Sequence, residues 1–137
     1  LGARVNAGRG GAIVQFSSRQ FVDVVVAAPV GRIDHAAAGQ LEQSLAPLLA
    51  GALSGKGGVI LDFSGVEYIS SVGLRVLMIA AKQMRGRGAR IAVAALQPVV
   101  AEIFAISRFD SVLDVFPSVR NAVDKFSPPA LAAFDAQ

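Results

Sequence analysis

The chain has 137 residues, a length that suits one domain, and 53% hydrophobic against 17% charged residues, a balance that builds a core and excludes a disordered chain. It carries no Cys and a single His, His35, which excludes disulfides, thiolate metal sites and His-clustered metal centres within one chain. The formal net charge is +3, but the basic residues are scattered apart from Arg85, Arg87 and Arg90 around one Gly-rich turn, and one Tyr with no Trp gives little base stacking, so no nucleic-acid partner is expected.

Residues 1–11, LGARVNAGRGG, are rich in Gly and Arg and read as a flexible arm. They lack the apolar core of a signal peptide. From Ala12 the pattern becomes strand-like: AIVQF, then SSRQ as a tight polar turn, then FVDVVVAAPV. Pro29 marks the end of the second strand or a place where a missing N–H is tolerated. Asp34 is a natural N-cap for the helix that follows, in which Ala38, Leu41, Leu45, Leu48 and Ala52 recur at spacings of three and four. Pro47 predicts a bend or an early end of that helix.

GKGG is a loop, and GVILDF is a short, almost continuous apolar run of the kind found in a central strand covered on both faces. SGVEYIS reads as a loop leading to SVGLRVLMIAAKQMRGRG, whose Leu74, Leu77, Met78 and Ala81 make a helical stripe. Lys82 and Arg85 fall in the last turn, and Gly86 can end the helix. RIAVAAL is the next strand. Pro98 opens a helix with Val99, Ile103 and Ile106 turned to the core, a last short strand lies near Val112 to Phe116, and a final helix from Ser118 buries Val119, Val123 and Phe126. SPPALAAFDAQ reads as a loose tail, so neither end of the chain is expected to contribute much to stability. Strands alternating with helices predict an α/β domain with right-handed crossovers. The apolar stretches are strand-sized or interrupted and fall short of the ~20 residues that span a bilayer, so no membrane insertion is expected.

The segment with functional content is LDFSGVEYISSVGLRVL, Leu61 to Leu77. A buried strand leads through a loop into a helix that starts at Ser70 to Gly73. Either serine can cap that helix, and capping alone would account for both. The helix start also presents unpaired N–H groups and the positive end of the dipole, so a phosphate on a serine there would be accommodated and would add about −1.5 to −2 charges to an exposed loop.

This segment resembles the signature of the STAS family, the domain shared by anti-sigma factor antagonists and sulfate transporters. In that family a strand and a polar loop lead to Asp-Ser-[Ser/Thr/Ala]-Gly-Leu at the helix start. The resemblance extends to VVVAAPVGRIDHAAAGQL, placing Gly31, Ile33 and Asp34, and to RIAVAALQPVVAEIFAISRFDSVLDVFPSVRNAV. It implies a STAS domain over residues 12–126 with a C-terminal tail at 127–137, and a STAS-like (SpoIIAA-like) mixed β-sheet with helices packed mainly on one face.

The resemblance also carries a function. The phosphorylated serine of the family maps to Ser71, with Ser70 as the alternative, because Ser70 stands where the family usually has Asp. Asp34, Ser70, Ser71, Val72 and Gly73 would form the partner-facing end. The protein would be a cytoplasmic anti-sigma factor antagonist and not an enzyme. It would bind an anti-sigma factor that is also a serine kinase and be restored by a metal-dependent serine phosphatase. ATP and metal belong to those partners, so the chain itself needs no cofactor. A second reading is a cytosolic STAS domain of an anion transporter or of a lipid-transport ATPase. A serine hydrolase is disfavoured, since G-x-S-x-G is absent and His35 has no evident acid partner.

Overall fold

The structure, a computed structural model, describes residues 4–6, 13–55 and 57–137. In chain order it contains strands β1 (Arg4–Asn6), β2 (Ile13–Phe21) and β3 (Val24–Ile33), helix α1 (His35–Gly55), strands β4 (Gly58–Asp62) and β5 (Val66–Ile69), and helix α2 (Ser71–Met84). Strand β6 (Arg90–Ala94), helix α3 (Pro98–Ile106), a 3-10 turn at Phe109–Ser111, strand β7 (Asp114–Phe116) and helices α4 (Val119–Phe126) and α5 (Pro128–Asp135) complete it.

The strands form one mixed sheet in the order β1-β2-β3-β4-β6-β7, with β5 pairing β3 beyond the end of β4. The hairpins β1–β2 and β2–β3 are antiparallel. The pairs β3–β4, β3–β5, β4–β6 and β6–β7 are parallel, as helical crossovers require. Strand β3 is the pivot. Its first half pairs with β4 from Val24 to Ala27, and its last residues pair with β5 from Gly31 to Ile33. The register shifts between Gly31 and Arg32, and Gly31 takes φ 119°, a conformation open to glycine and costly for other residues.

Each central strand is buried on both faces. On one face Val25, Ala27, Val59, Leu61, Ile91 and Val93 pack with Leu41, Leu45 and Leu77, and with an aromatic chain in which Phe63, Phe104 and Phe109 meet edge to face. On the other face Phe21, Val24, Ile60 and Ala94 pack with Ala122, Val123 and Ala130. The long helices α1, α2 and α3 therefore cover one face, and the short α4 and α5 cover the other, in agreement with the expected mixed sheet carrying most of its helices on one side. The buried run GVILDF is central as its composition predicts: Val59, Ile60, Leu61 and Phe63 are all inaccessible to solvent.

Several expectations need correction. The SSRQ segment is not a turn: β2 runs through it, and the hairpin turns at Val22–Asp23, between the paired Phe21 and Val24. Cross-strand pairing decides this, because Ser17 to Gln20 stay in register with Val25 to Ala28. Pro47 does not end α1, which continues to Gly55. Proline removes the hydrogen bond to the carbonyl four residues earlier, that of Gln43, but both residues lie on the exposed side of the helix, where such a loss costs least.

The core face of α3 is carried by Val100 and Phe104, while Val99 and Ile106 are 56% and 78% exposed. The C-terminal segment is not a loose tail but holds α5, packed on β2. Of the N-terminal arm, Arg4–Asn6 pair with β2 as a strand, and the remaining residues up to 11 lie outside the described residues. Among the described residues no helix is long and apolar enough to cross a membrane.

Candidate functional site

Strands β3 and β5 run parallel, with Arg32 opposite Tyr68 and Ile33 opposite Ile69. Each then passes directly into a helix. The residue after each strand is its cap: Asp34 Oδ1 accepts a hydrogen bond from the Ala37 N–H at 2.9 Å, and Ser70 Oγ accepts one from the Gly73 N–H at 3.1 Å. The two caps are held side by side because the Ser70 N–H donates to the Ile33 carbonyl at 2.8 Å, one step beyond the last strand pair. The sheet thus brings two helix N-termini, each with its orphan N–H groups, together at one end. Outside the carboxyl ends of parallel strands is where open α/β sheets place ligands and partners.

This arrangement decides between the two serines as caps. Ser70 is half-buried and its hydroxyl serves the helix, whereas Ser71 is the first helical residue and is exposed. Asp34 caps α1, and its loop stands beside the loop of Ser71. Val72 is half-buried. Gly73 is buried and touches the core rather than the surface, because a Cβ there would lie 2.8 Å from both Ile33 Cγ2 and Ile69 Cγ1. His35, the first residue of α1, is exposed. Asp62 closes the end of β4 by accepting from the Ser64 N–H at 3.0 Å, a turn-forming role. The start of α3 is tied to the same end by Gln97, whose Nε2 donates to the Ser64 carbonyl at 2.7 Å.

Two features of this end lie outside the residues the motif points to. The Arg32 guanidinium stacks 4.6 Å from the centre of the Tyr68 ring, a pairing created by the β3–β5 register. Arg75 stands exposed one turn after Ser71 on the same face of α2. Its spacing of four residues from Ser71 was the available signal.

Ser70→Ala should cost about 1 kcal/mol, the usual loss of an N-cap, whereas Ser71→Ala should stay within about 0.5 kcal/mol of the parent. Paired urea titrations check this. Equal losses at the two positions would mean that the cap is shared.

Comparison with known proteins places this geometry in a family. The model of the STAS domain matches residues 15–122. A Bordetella bronchiseptica protein named as an anti-sigma factor antagonist, BtrV, is 38% identical over 103 residues, covering 75% of this chain and 86% of the relative. A Thermotoga maritima protein described as an anti-sigma factor antagonist superposes with a TM-score of 0.71 at 18% identity, covering 81% of this chain and 93% of the other. The Bacillus cell fate determinant SpoIIAA in its phosphorylated form gives 0.57 at 17% identity, covering 80% and 97%. At those identities the two structures establish the shared fold. The family match over most of the chain, joined to the BtrV relationship, shows that this chain belongs to the STAS domain family.

Proposed function

We propose that this STAS domain is an anti-sigma factor antagonist that works by partner switching. It binds an anti-sigma factor that is also a serine kinase through the end of the domain carrying Asp34, Ser70 and Ser71. The observation that carries the reading is the division of labour between two adjacent serines: Ser70 is engaged as the cap, and Ser71 stands exposed at the first position of α2. The BtrV relationship supplies the class of partner.

In the modification step the Ser71 hydroxyl oxygen attacks the γ-phosphorus of ATP held by the kinase. The bond to ADP breaks, and the serine proton passes to a base of the kinase. The product is welcome on this chain, because a helix N-terminus favours an anion. It is unwelcome in the complex, where a dianion must be desolvated or must face the partner's own nucleotide phosphates, and like charges across an interface cost several kcal/mol. Release follows, and a metal-dependent serine phosphatase returns the binding form.

The test is phosphopeptide mass spectrometry after incubation with the cognate kinase and ATP, beside pull-downs of three variants. Phosphate is expected on Ser71. Ser71→Ala should fold and stay bound in the presence of ATP. Ser71→Asp should fold and bind at least about tenfold more weakly, by the same like-charge argument. Ser70→Ala should bind much like the parent. Absence of phosphate on either serine, together with parent-like binding by Ser71→Asp, would leave a constitutive adaptor as the better description.

A further inference from the structure

Between Glu67 and Glu102 the sequence carries five basic residues, Arg75, Lys82, Arg85, Arg87 and Arg90, and no acidic residue. Arg90 is turned away, toward Asp114 at 3.9 Å and over the Phe126 ring at 4.3 Å. The other four are exposed, and none makes an ion pair among the described residues. The undescribed residues contain no Asp or Glu that could serve them.

These charges are ordered. At 100° per residue, Ser71, Arg75, Met78 and Lys82 fall within about 60° of one another around the helix, and Arg85 continues the line. Ser71, Arg75, Met78, Ile79 and Lys82 border one shallow depression together with Phe109. Ile79 is 41% exposed beside the stripe. The outer face of α2 is therefore a cationic stripe with apolar side chains between the charges, and the exposed serine stands at its head.

We infer that this stripe is the docking surface for an acidic face of a partner protein, and that phosphate at Ser71 works partly by cancelling the head of the stripe. The inference rests on the partner-switching reading above and gives the partner its surface chemistry. Unpaired cations on one face raise the local potential and accelerate association with an oppositely charged surface. A phosphate on Ser71 lies one turn from Arg75, the spacing at which helical side chains of opposite charge pair. It would occupy that guanidinium and present negative charge to an acidic partner. The mixture of charge with the half-buried Met78 and the exposed Ile79 suits a protein interface, whose centre is apolar and whose margin is polar. A single-stranded nucleic-acid surface would call for stacking aromatics along the stripe, and a membrane surface for a broad apolar face.

The test uses the full chain and a triple variant, Arg75→Glu, Lys82→Glu, Arg85→Glu, with the neutral Gln triple as a milder control. Circular dichroism and urea midpoints check the fold of both. Titration against the cognate anti-sigma factor should show affinity falling about tenfold between 50 and 500 mM NaCl, and the Glu triple should bind about 30- to 100-fold more weakly at low salt, with the gap narrowing at high salt. Parent-like binding by the Glu triple, or binding indifferent to salt, would overturn the stripe while leaving partner switching in place.

If the anti-sigma factor does not bind the parent at all, partner switching fails, and a second probe decides the stripe: a 20-residue helical peptide with Glu and Leu on one face. Salt-sensitive binding of this peptide, lost in the Glu triple, sustains the surface, and absence of such binding overturns it. Tighter binding of a 20-base-pair duplex, or of vesicles of anionic and zwitterionic phospholipid, lost in the same variant, would overturn the protein partner in favour of that ligand.

Discussion

Deletion of residues 128–137 should cost about 2–4 kcal/mol and lower the thermal midpoint by about 10 °C, by analogy with large-to-small changes in a core. Helix α5 is the lid of the smaller hydrophobic cluster. Ala130 is fully buried, and Leu131 and Phe134 pack against the group formed by Phe21, Val24, Ile60 and Ala122. The Phe134 ring meets Phe21 edge to face at 5.3 Å. Ser127 locks the junction: its N–H donates to the Val123 carbonyl at 2.9 Å, closing α4, and its Oγ accepts from the Ala130 N–H at 3.3 Å, opening α5.

The far end of α5 carries an ion pair in which Arg120 Nε and Nη2 donate to Asp135 at 3.1 and 3.0 Å. That contact raises the arginine pKa above its ordinary value through the hydrogen bond to Asp135, but it lies in solvent and adds little stability. Phe134→Ala should therefore reproduce much of the loss, and Asp135→Asn little of it. Thermal unfolding of the three proteins separates these contributions. A truncated chain that melts within about 2 °C of the parent would mean that α5 rests on the sheet without stabilising it.

The same helix shows where sequence patterns mislead. SPPALAAFDAQ reads as a tail because it lacks periodicity and is rich in Pro and Ala. Prolines in the first turn remove only N–H groups that have no partner in a helix anyway, so Pro128 and Pro129 start α5 rather than prevent it. Helix α3 misleads differently. It is apolar nearly all round, so two stripes compete, and spacing alone cannot choose Val100 and Phe104 over Val99 and Ile106. Strand β5 is hidden because VEYI is four residues long and buries only Val66 and Ile69. Its existence depends on the far end of β3, a partner more than thirty residues earlier in the chain.

Local patterns specify much of the fold. The buried run at Val59 to Phe63, Leu77 and Ala81 of the stripe that also includes the half-buried Leu74 and Met78, and the Asp34 cap all stand where pattern and capping chemistry put them, and the last predicted helix begins after Ser118 as expected. The site itself was half legible. The motif locates the serines, but two adjacent serines are equivalent to a capping rule. The bond from the Ser70 N–H to the Ile33 carbonyl, a product of strand pairing, tells them apart: Ser70 is held half-buried at the cap, and Ser71 is exposed.

Gly73→Ala should destabilise the domain by about 1–3 kcal/mol, although helix propensity alone favours Ala over Gly by about 1 kcal/mol. A Cβ at this position would lie 2.8 Å from Ile33 Cγ2 and 2.8 Å from Ile69 Cγ1, well inside van der Waals contact. Neither side chain can yield, because both isoleucines are in the core, at 0% and 1% exposure, packed from every side. The clash can be relieved only by moving the start of α2 away from β3 and β5. Ile33 and Ile69 immediately precede the two caps, so that movement would also pull Ser70 from the Ile33 carbonyl and shift Ser71. Gly39 provides the control: it lies on the exposed side of α1 with nothing within 4 Å of an added Cβ, and Gly39→Ala should stabilise by about 0.5–1 kcal/mol. Urea titrations of the two variants should thus move in opposite directions. If Gly73→Ala gains stability as Gly39→Ala does, the close approach of α2 to the two isoleucines is not what sets the position of Ser71, and the capping bond of Ser70 alone must hold it.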